Sequence, residues 1–113
     1  MSDSNAVEAN KRRCRRRPPK GRAKVICQRG ALHLGPNLTI AVLDLSETGV
    51  RLTVKELVNG GQEVSLELEA PASARAVKLL GTVVWSGASA DGGYCVGIRF
   101  QKQLAYRDFL NFV

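Results

Sequence analysis

Six stretches of this chain alternate apolar and polar residues with a period of two, and that alternation limits the fold more than any other feature. In GVRLTV (49–54), Val50, Leu52 and Val54 share one face, with Arg51 and Thr53 opposite. In QEVSLELEA (62–70), Val64, Leu66 and Leu68 are expected inward, with Ser65, Glu67 and Glu69 outward. YCVGIRF (94–100) brings Val96, Ile98 and Phe100 together, and AKVIC (23–27), LTIAVLDLS (38–46) and AVKLLGTVVW (76–85) read as three further strands. Successive side chains on a strand point to opposite faces, so each stretch has one face to bury. Turn signals separate the strands at Asn59-Gly60-Gly61, Pro71 and Asp91-Gly92-Gly93. Gly81, inside the fifth strand, reads as a bulge or bend. There is no alternation of strand and helix, which excludes a parallel α/β sheet. The expectation is an all-β fold, a six-stranded antiparallel β-barrel, whose closure removes the edges that a flat sheet would expose. In the last stretch, QLAYRDFLNFV, Leu104, Phe109 and Phe112 fall at near-helical spacing and predict a short C-terminal helix.

At 113 residues the chain has room for one domain with a modest core. Residues 1–11 are polar and are expected to be disordered, leaving 12–113 for the domain. The net charge of +7 is unevenly distributed. Residues 11–30 hold ten Lys or Arg and no acid, whereas residues 31–113 hold seven basic and eight acidic residues, a net of −1. A neutral body with one basic segment implies an anionic partner for that segment. Pro18-Pro19 oppose a helix through it, so the arginines are expected on an extended arm leading into the first strand. Apolar runs of about five residues are too short to span a membrane, and MSDSNAVEANKRRCRRR has no apolar signal region. Cytoplasm is the expected location, with no membrane insertion.

Catalysis and metal binding find little support. His33 is the only histidine and no nucleophile motif accompanies it. No HExxH, Walker loop or GxGxxG is present. The acids of the second half alternate outward on strands as solvated faces. Cys14, Cys27 and Cys95 are widely spaced with no CxxC pair, which argues against zinc. Cys27 and Cys95 lie in apolar strands and read as small core residues; Cys14 lies among arginines, which lower a thiol pKa. The chain is not expected to be an enzyme or to carry a cofactor.

Two short patterns do suggest chemistry. The first is the arginine run Arg12-Arg13-Cys14-Arg15-Arg16-Arg17; arginine donates paired hydrogen bonds to phosphate or to the O6/N7 edge of guanine. The second is DLSETG, Asp44 to Gly49, at a turn between two strands. Asp44 can accept from the N1–H and N2–H₂ donors of guanine's other edge. Ser46 can bond a phosphate or hold the turn, and Gly49 allows a positive φ or close approach by a ligand. Together they suit a guanine nucleotide bound without metal. Arg22 and Lys24 are candidate further phosphate contacts. Trp85 reads as a core or barrel-end residue in preference to a base-stacking platform.

These residues resemble the PilZ domain family, bacterial receptors for cyclic di-GMP, whose signature is RxxxR followed by [D/N]xSxxG. Asp44-Leu-Ser46-Glu-Thr-Gly49 matches the second part, and GTVVW (81–85) and GYCVGIRF (93–100) resemble the family's later strands. The arginine run offers two registers for the first part, Arg12/Arg16 and Arg13/Arg17; the second is favoured because Arg17 is nearer the first strand and Arg12 then supplies the preceding arginine. The resemblance covers about residues 12–112. It implies a six-stranded barrel with a C-terminal helix, and cyclic di-GMP bound by Arg12, Arg13, Arg17, Asp44, Ser46 and Gly49. It further implies an arm that orders on binding and an effector protein that receives the signal. Two other readings stand beside it: a basic β-barrel binding single-stranded nucleic acid, or an adaptor that docks a protein without ligand. No strand interleaves basic and aromatic residues, which argues against nucleic acid. The intact Arg, Asp, Ser and Gly positions argue against the adaptor.

Overall fold

A computed structural model of the chain describes residues 24–70, 76–90, 92–110 and 112. Six strands are present: β1 (Lys24–Arg29), β2 (Thr39–Leu45), β3 (Gly49–Val54), β4 (Glu63–Glu69), β5 (Val77–Ala88) and β6 (Tyr94–Phe100). A one-turn helix, α1 (Tyr106–Leu110), follows. The strands form one antiparallel sheet in the order β1-β4-β5-β6-β3-β2. It curls into a half-barrel that brings its two edge strands together at one end. There the Leu38 N–H donates to the Cys27 carbonyl at 2.8 Å, and Asn37 Oδ1 accepts from the N–H groups of Cys27 and Thr39, both at 3.0 Å. Only this end of the seam is closed by hydrogen bonds among the described residues. Asn37→Ala would leave the partly buried Cys27 N–H without its acceptor, an expected cost of about 1–2 kcal/mol in a denaturant titration.

The period-two residues fill the concave side. Val50, Leu52 and Val54 of β3, Val64, Leu66 and Leu68 of β4, and Val96, Ile98 and Phe100 of β6 are all buried in one cluster. Ser65, expected to face solvent, is buried instead: its Oγ donates to the Gly30 carbonyl and accepts from His33 N–H at 2.9 Å, so the loop after β1 covers it. Leu104 and Phe112, on either side of α1, cap it, and Phe109 packs against it. Cys27 is buried in the cluster, as expected of a small core residue; Cys95 is buried too, but opposite Thr53 on the other face of the sheet and outside the cluster, which corrects its reading as a core residue. Burial raises the Cys27 thiol to about 11, which keeps it protonated and unreactive at neutral pH.

One expectation for β5 is corrected. Gly81 stays in register, opposite Phe100 on β6 and Val64 on β4, and is neither bulge nor bend. A glycine is needed there because a Cβ would meet Ile98 Cγ2 at 2.5 Å and Leu66 Cδ1 at 3.2 Å. The irregularity lies three residues later, between Val83 and Trp85.

Candidate functional site

The turn joining β2 to β3 is built by Ser46. Its N–H donates to the Gly49 carbonyl at 2.9 Å. Its Oγ accepts from the N–H groups of Gly49 at 3.2 Å and Thr48 at 3.3 Å, and lies 3.2 Å from Thr48 Oγ1. A hydroxyl that bonds main-chain groups two and three residues ahead stabilises a turn over a continuing strand. The rear of the turn is held as well. The Thr48 carbonyl accepts from Phe100 N–H and the Glu47 carbonyl from Leu104 N–H, each at 2.8 Å. Gly49 does not have a left-handed φ. It is glycine because a Cβ would run into the Ile98 carbonyl oxygen of β6, so the close approach is by a neighbouring strand.

Two bulges lie beside the turn. On β2, Val42 pairs with Leu52 but Asp44, not Leu43, pairs with Arg51. On β5, Val83 pairs with Ile98 but Trp85, not Val84, pairs with Gly97. An extra residue in one strand reverses the side-chain alternation beyond it. The hairpin register already puts Asp44 opposite Arg51 on the outer face, between the buried Leu43 and Leu45, and the β2 bulge lies just beyond it. Without the β5 bulge, Trp85 would share a face with Val83 toward the core; with it, Trp85 turns to the outer face. Trp85 is therefore only half-buried and lies outside the core cluster, which corrects its reading as a core or barrel-end residue.

The outcome is a transverse row across four strands, Asp44 on β2, Arg51 on β3, Gly97 on β6 and Trp85 on β5. Beside it, Arg99 faces Gly49 on one side and Thr82 on the other. Asp44, Ser46, Thr48, Gly49, Arg51, Trp85 and Arg99 all line one cleft of about 350 Å³ on the outer face. Arg51 Nη2 lies 2.7 Å from Asp44 Oδ2, and the two side chains are 24% and 34% exposed. That pair orients the carboxylate along the cleft while solvent still reaches both groups. The cleft thus offers a carboxylate acceptor, two guanidinium groups, hydroxyls and an indole. These groups can bind an anionic, hydrogen-bonding, aromatic ligand. Among the described residues no group of three His, Cys, Asp or Glu could hold a metal ion, and no helix is long and apolar enough to cross a membrane.

Of the residues singled out by sequence, Asp44, Ser46 and Gly49 meet in this cleft. Arg12, Arg13, Arg17 and Arg22 lie outside the described residues. Lys24 is exposed at the start of β1 and does not line the cleft. Arg51 and Arg99 were not anticipated here, and Trp85 was expected in the core or at the barrel end in preference to a binding platform. Arg51 had a usable signal: in a hairpin closed by Ser46 and Gly49, Asp44 and Arg51 are equidistant from the turn and must pair.

The family model for the PilZ domain matches residues 10–108. No curated protein matches the chain, and no solved structure does. The family match takes in all six strands and the turn that carries Asp44, Ser46 and Gly49, and the chain therefore belongs to the PilZ domain family.

Proposed function

We propose that this chain is a receptor for cyclic di-GMP, held between the Arg12–Arg17 segment and the Asp44–Gly49 turn, and that ordering of the basic segment passes the signal to a protein partner. PilZ domains are regulatory binding domains, and the family is a receptor family for this dinucleotide. The observation that carries the reading is the position of Asp44, whose carboxylate lines an open cleft on the outer face. There it can accept from a guanine Watson–Crick edge. Arg51 and Arg99 in the same cleft favour a ligand bearing phosphates. Arg13 and Arg17 supply the remaining donors from the arm, with Arg12 beside them. Ser46 and Gly49 fix the turn that presents Asp44.

Calorimetric titration of the full chain tests this. The expected result is saturable binding of cyclic di-GMP that GMP and GTP do not reproduce at the same concentration. Binding of random oligonucleotides with equal affinity and a steep salt dependence would point to an electrostatic arm and overturn the proposal.

A further inference from the structure

Cys95 of β6 is buried, yet its side chain is on the outer face of the sheet. It stands in a transverse row with Ala41 on β2, Thr53 on β3 and Gly87 on β5. This row adjoins the one that carries Asp44, Arg51, Gly97 and Trp85, two residues along β6, which is about 7 Å of strand. Its members are small, and Ala41 and Thr53 line a second cavity, of about 440 Å³. Cys95 is disulfide-bonded. Its partner therefore reaches it from the outer side, over this row. The chain holds three cysteines, and Cys27 is a free thiol within the core cluster. That leaves Cys14, which lies outside the described residues. Cys14 belongs to the arginine run and falls inside both frames of the RxxxR pattern, Arg12/Arg16 and Arg13/Arg17.

We infer that Cys14 and Cys95 form a reversible disulfide that fastens the arginine segment beside the cleft, so that the redox state of the chain sets the affinity of the site. The effect on affinity rests on the proposed reading of the cleft as the cyclic di-GMP site; the bond itself does not. Cys14 stands between Arg13 and Arg15, and neighbouring cations favour the thiolate. That thiolate attacks a small disulfide such as oxidised glutathione, and one glutathione leaves as its thiol. The Cys95 thiol then gives up its proton, its sulfur attacks the mixed disulfide, and the second glutathione leaves with that proton. Two protein thiols are oxidised and one glutathione disulfide is reduced. A thiol that ionises readily is also a good leaving group, which makes the bond easy to reduce again. Disulfides of this kind, formed where glutathione keeps most thiols reduced, are redox-sensing. With the segment unfastened, its ordering opposes ligand binding. With Cys14 fixed one row from Arg51 and Asp44, part of that ordering is complete beforehand.

The bond is tested without ligand. The full chain is equilibrated with oxidised or with reduced glutathione, quenched in acid, unfolded and labelled with a maleimide. One thiol is expected to label after oxidation, and all three after reduction. Mass spectrometry of a proteolytic digest is expected to link the peptide carrying Cys14 to the one carrying Cys95. Calorimetric titration with cyclic di-GMP is expected to show binding about 10-fold tighter in the oxidised chain. Cys14→Ser should remove that difference and leave the affinity of the reduced chain in place, whereas Cys27→Ala should keep the difference; melting midpoints show that both variants fold. Three labelled thiols after oxidation overturn the inference, as does a link from Cys95 to any residue other than Cys14 of the same chain, or equal affinity in the two redox states. In each of these cases the receptor reading survives. No binding by either form overturns the receptor reading and the effect on affinity together, and the digest still decides whether Cys14 and Cys95 pair.

Discussion

Asp44→Ala is expected to abolish measurable binding of cyclic di-GMP while leaving the fold in place. The carboxylate would accept two hydrogen bonds from one guanine edge. A charged acceptor contributes about 1.5–3 kcal/mol per bond, so losing both corresponds to a weakening of roughly 100-fold or more. The fold should tolerate the change because the ion pair with Arg51 is partly solvent-exposed, and such pairs contribute about 1 kcal/mol or less to stability. Asp44→Asn keeps one carbonyl acceptor and should lose less. Arg13→Ala and Arg17→Ala are expected to match the alanine variant at Asp44 in calorimetry. If every arginine of the run costs the same and Asp44→Ala costs nothing, the arm is merely a polycation and the turn is not a binding element.

The largest effect on stability is expected from Gly49→Ala. The added methyl meets main chain, the Ile98 carbonyl, which is held in the β3–β6 ladder and cannot swing aside as a side-chain end could. Relief requires the two strands to part beside the turn, also straining the bond from Phe100 N–H to the Thr48 carbonyl. Overpacking of this kind costs about 2–3 kcal/mol, which for a domain of this size lowers the melting midpoint by roughly 10 °C. Gly87→Ala is the control. Position 87 also lies in a strand, but its Cβ meets nothing within 4 Å, so the change is expected to be neutral or slightly stabilising. Equal melting temperatures for the two variants would contradict the crowding account.

The strands were legible because burial on one face writes itself into the sequence with period two; β3 follows that period without interruption, and in β4 and β6 the large apolar residues keep it although Ser65, Cys95 and Gly97 on the other face are buried as well. The six-stranded antiparallel fold follows from it, and the short terminal helix from the near-helical spacing of Leu104, Phe109 and Phe112. The chemical identity of Asp44, Ser46 and Gly49 was legible as a motif, but not the reason for each. Ser46 bonds its own turn, and Gly49 makes room for a neighbouring strand. Trp85 was harder still. A bulge is one extra residue with no compositional mark of its own, and it reverses every later side chain. Continuing the alternation from Val83 sends Trp85 inward, which is why it read as core. Gly81 invited the bulge by its type, yet its smallness serves Ile98 and Leu66 across the sheet. Arg99 looked like any outward charge on a strand, since its place beside Gly49 depends on pairing between strands far apart in sequence.

The rear of the Asp44–Gly49 turn is fastened to the end of β6 and to the segment entering α1 through the carbonyls of Glu47 and Thr48. Both fastenings are main chain to main chain. The identities of Glu47 and Thr48 are therefore immaterial to them, and these positions can drift through many residue types without loosening the joint. Only proline at position 100 or 104 would remove a donor and cut it. The coupling of the turn to the C-terminus is thus a property of the backbone path, shielded from most substitutions and invisible to any reading of side chains.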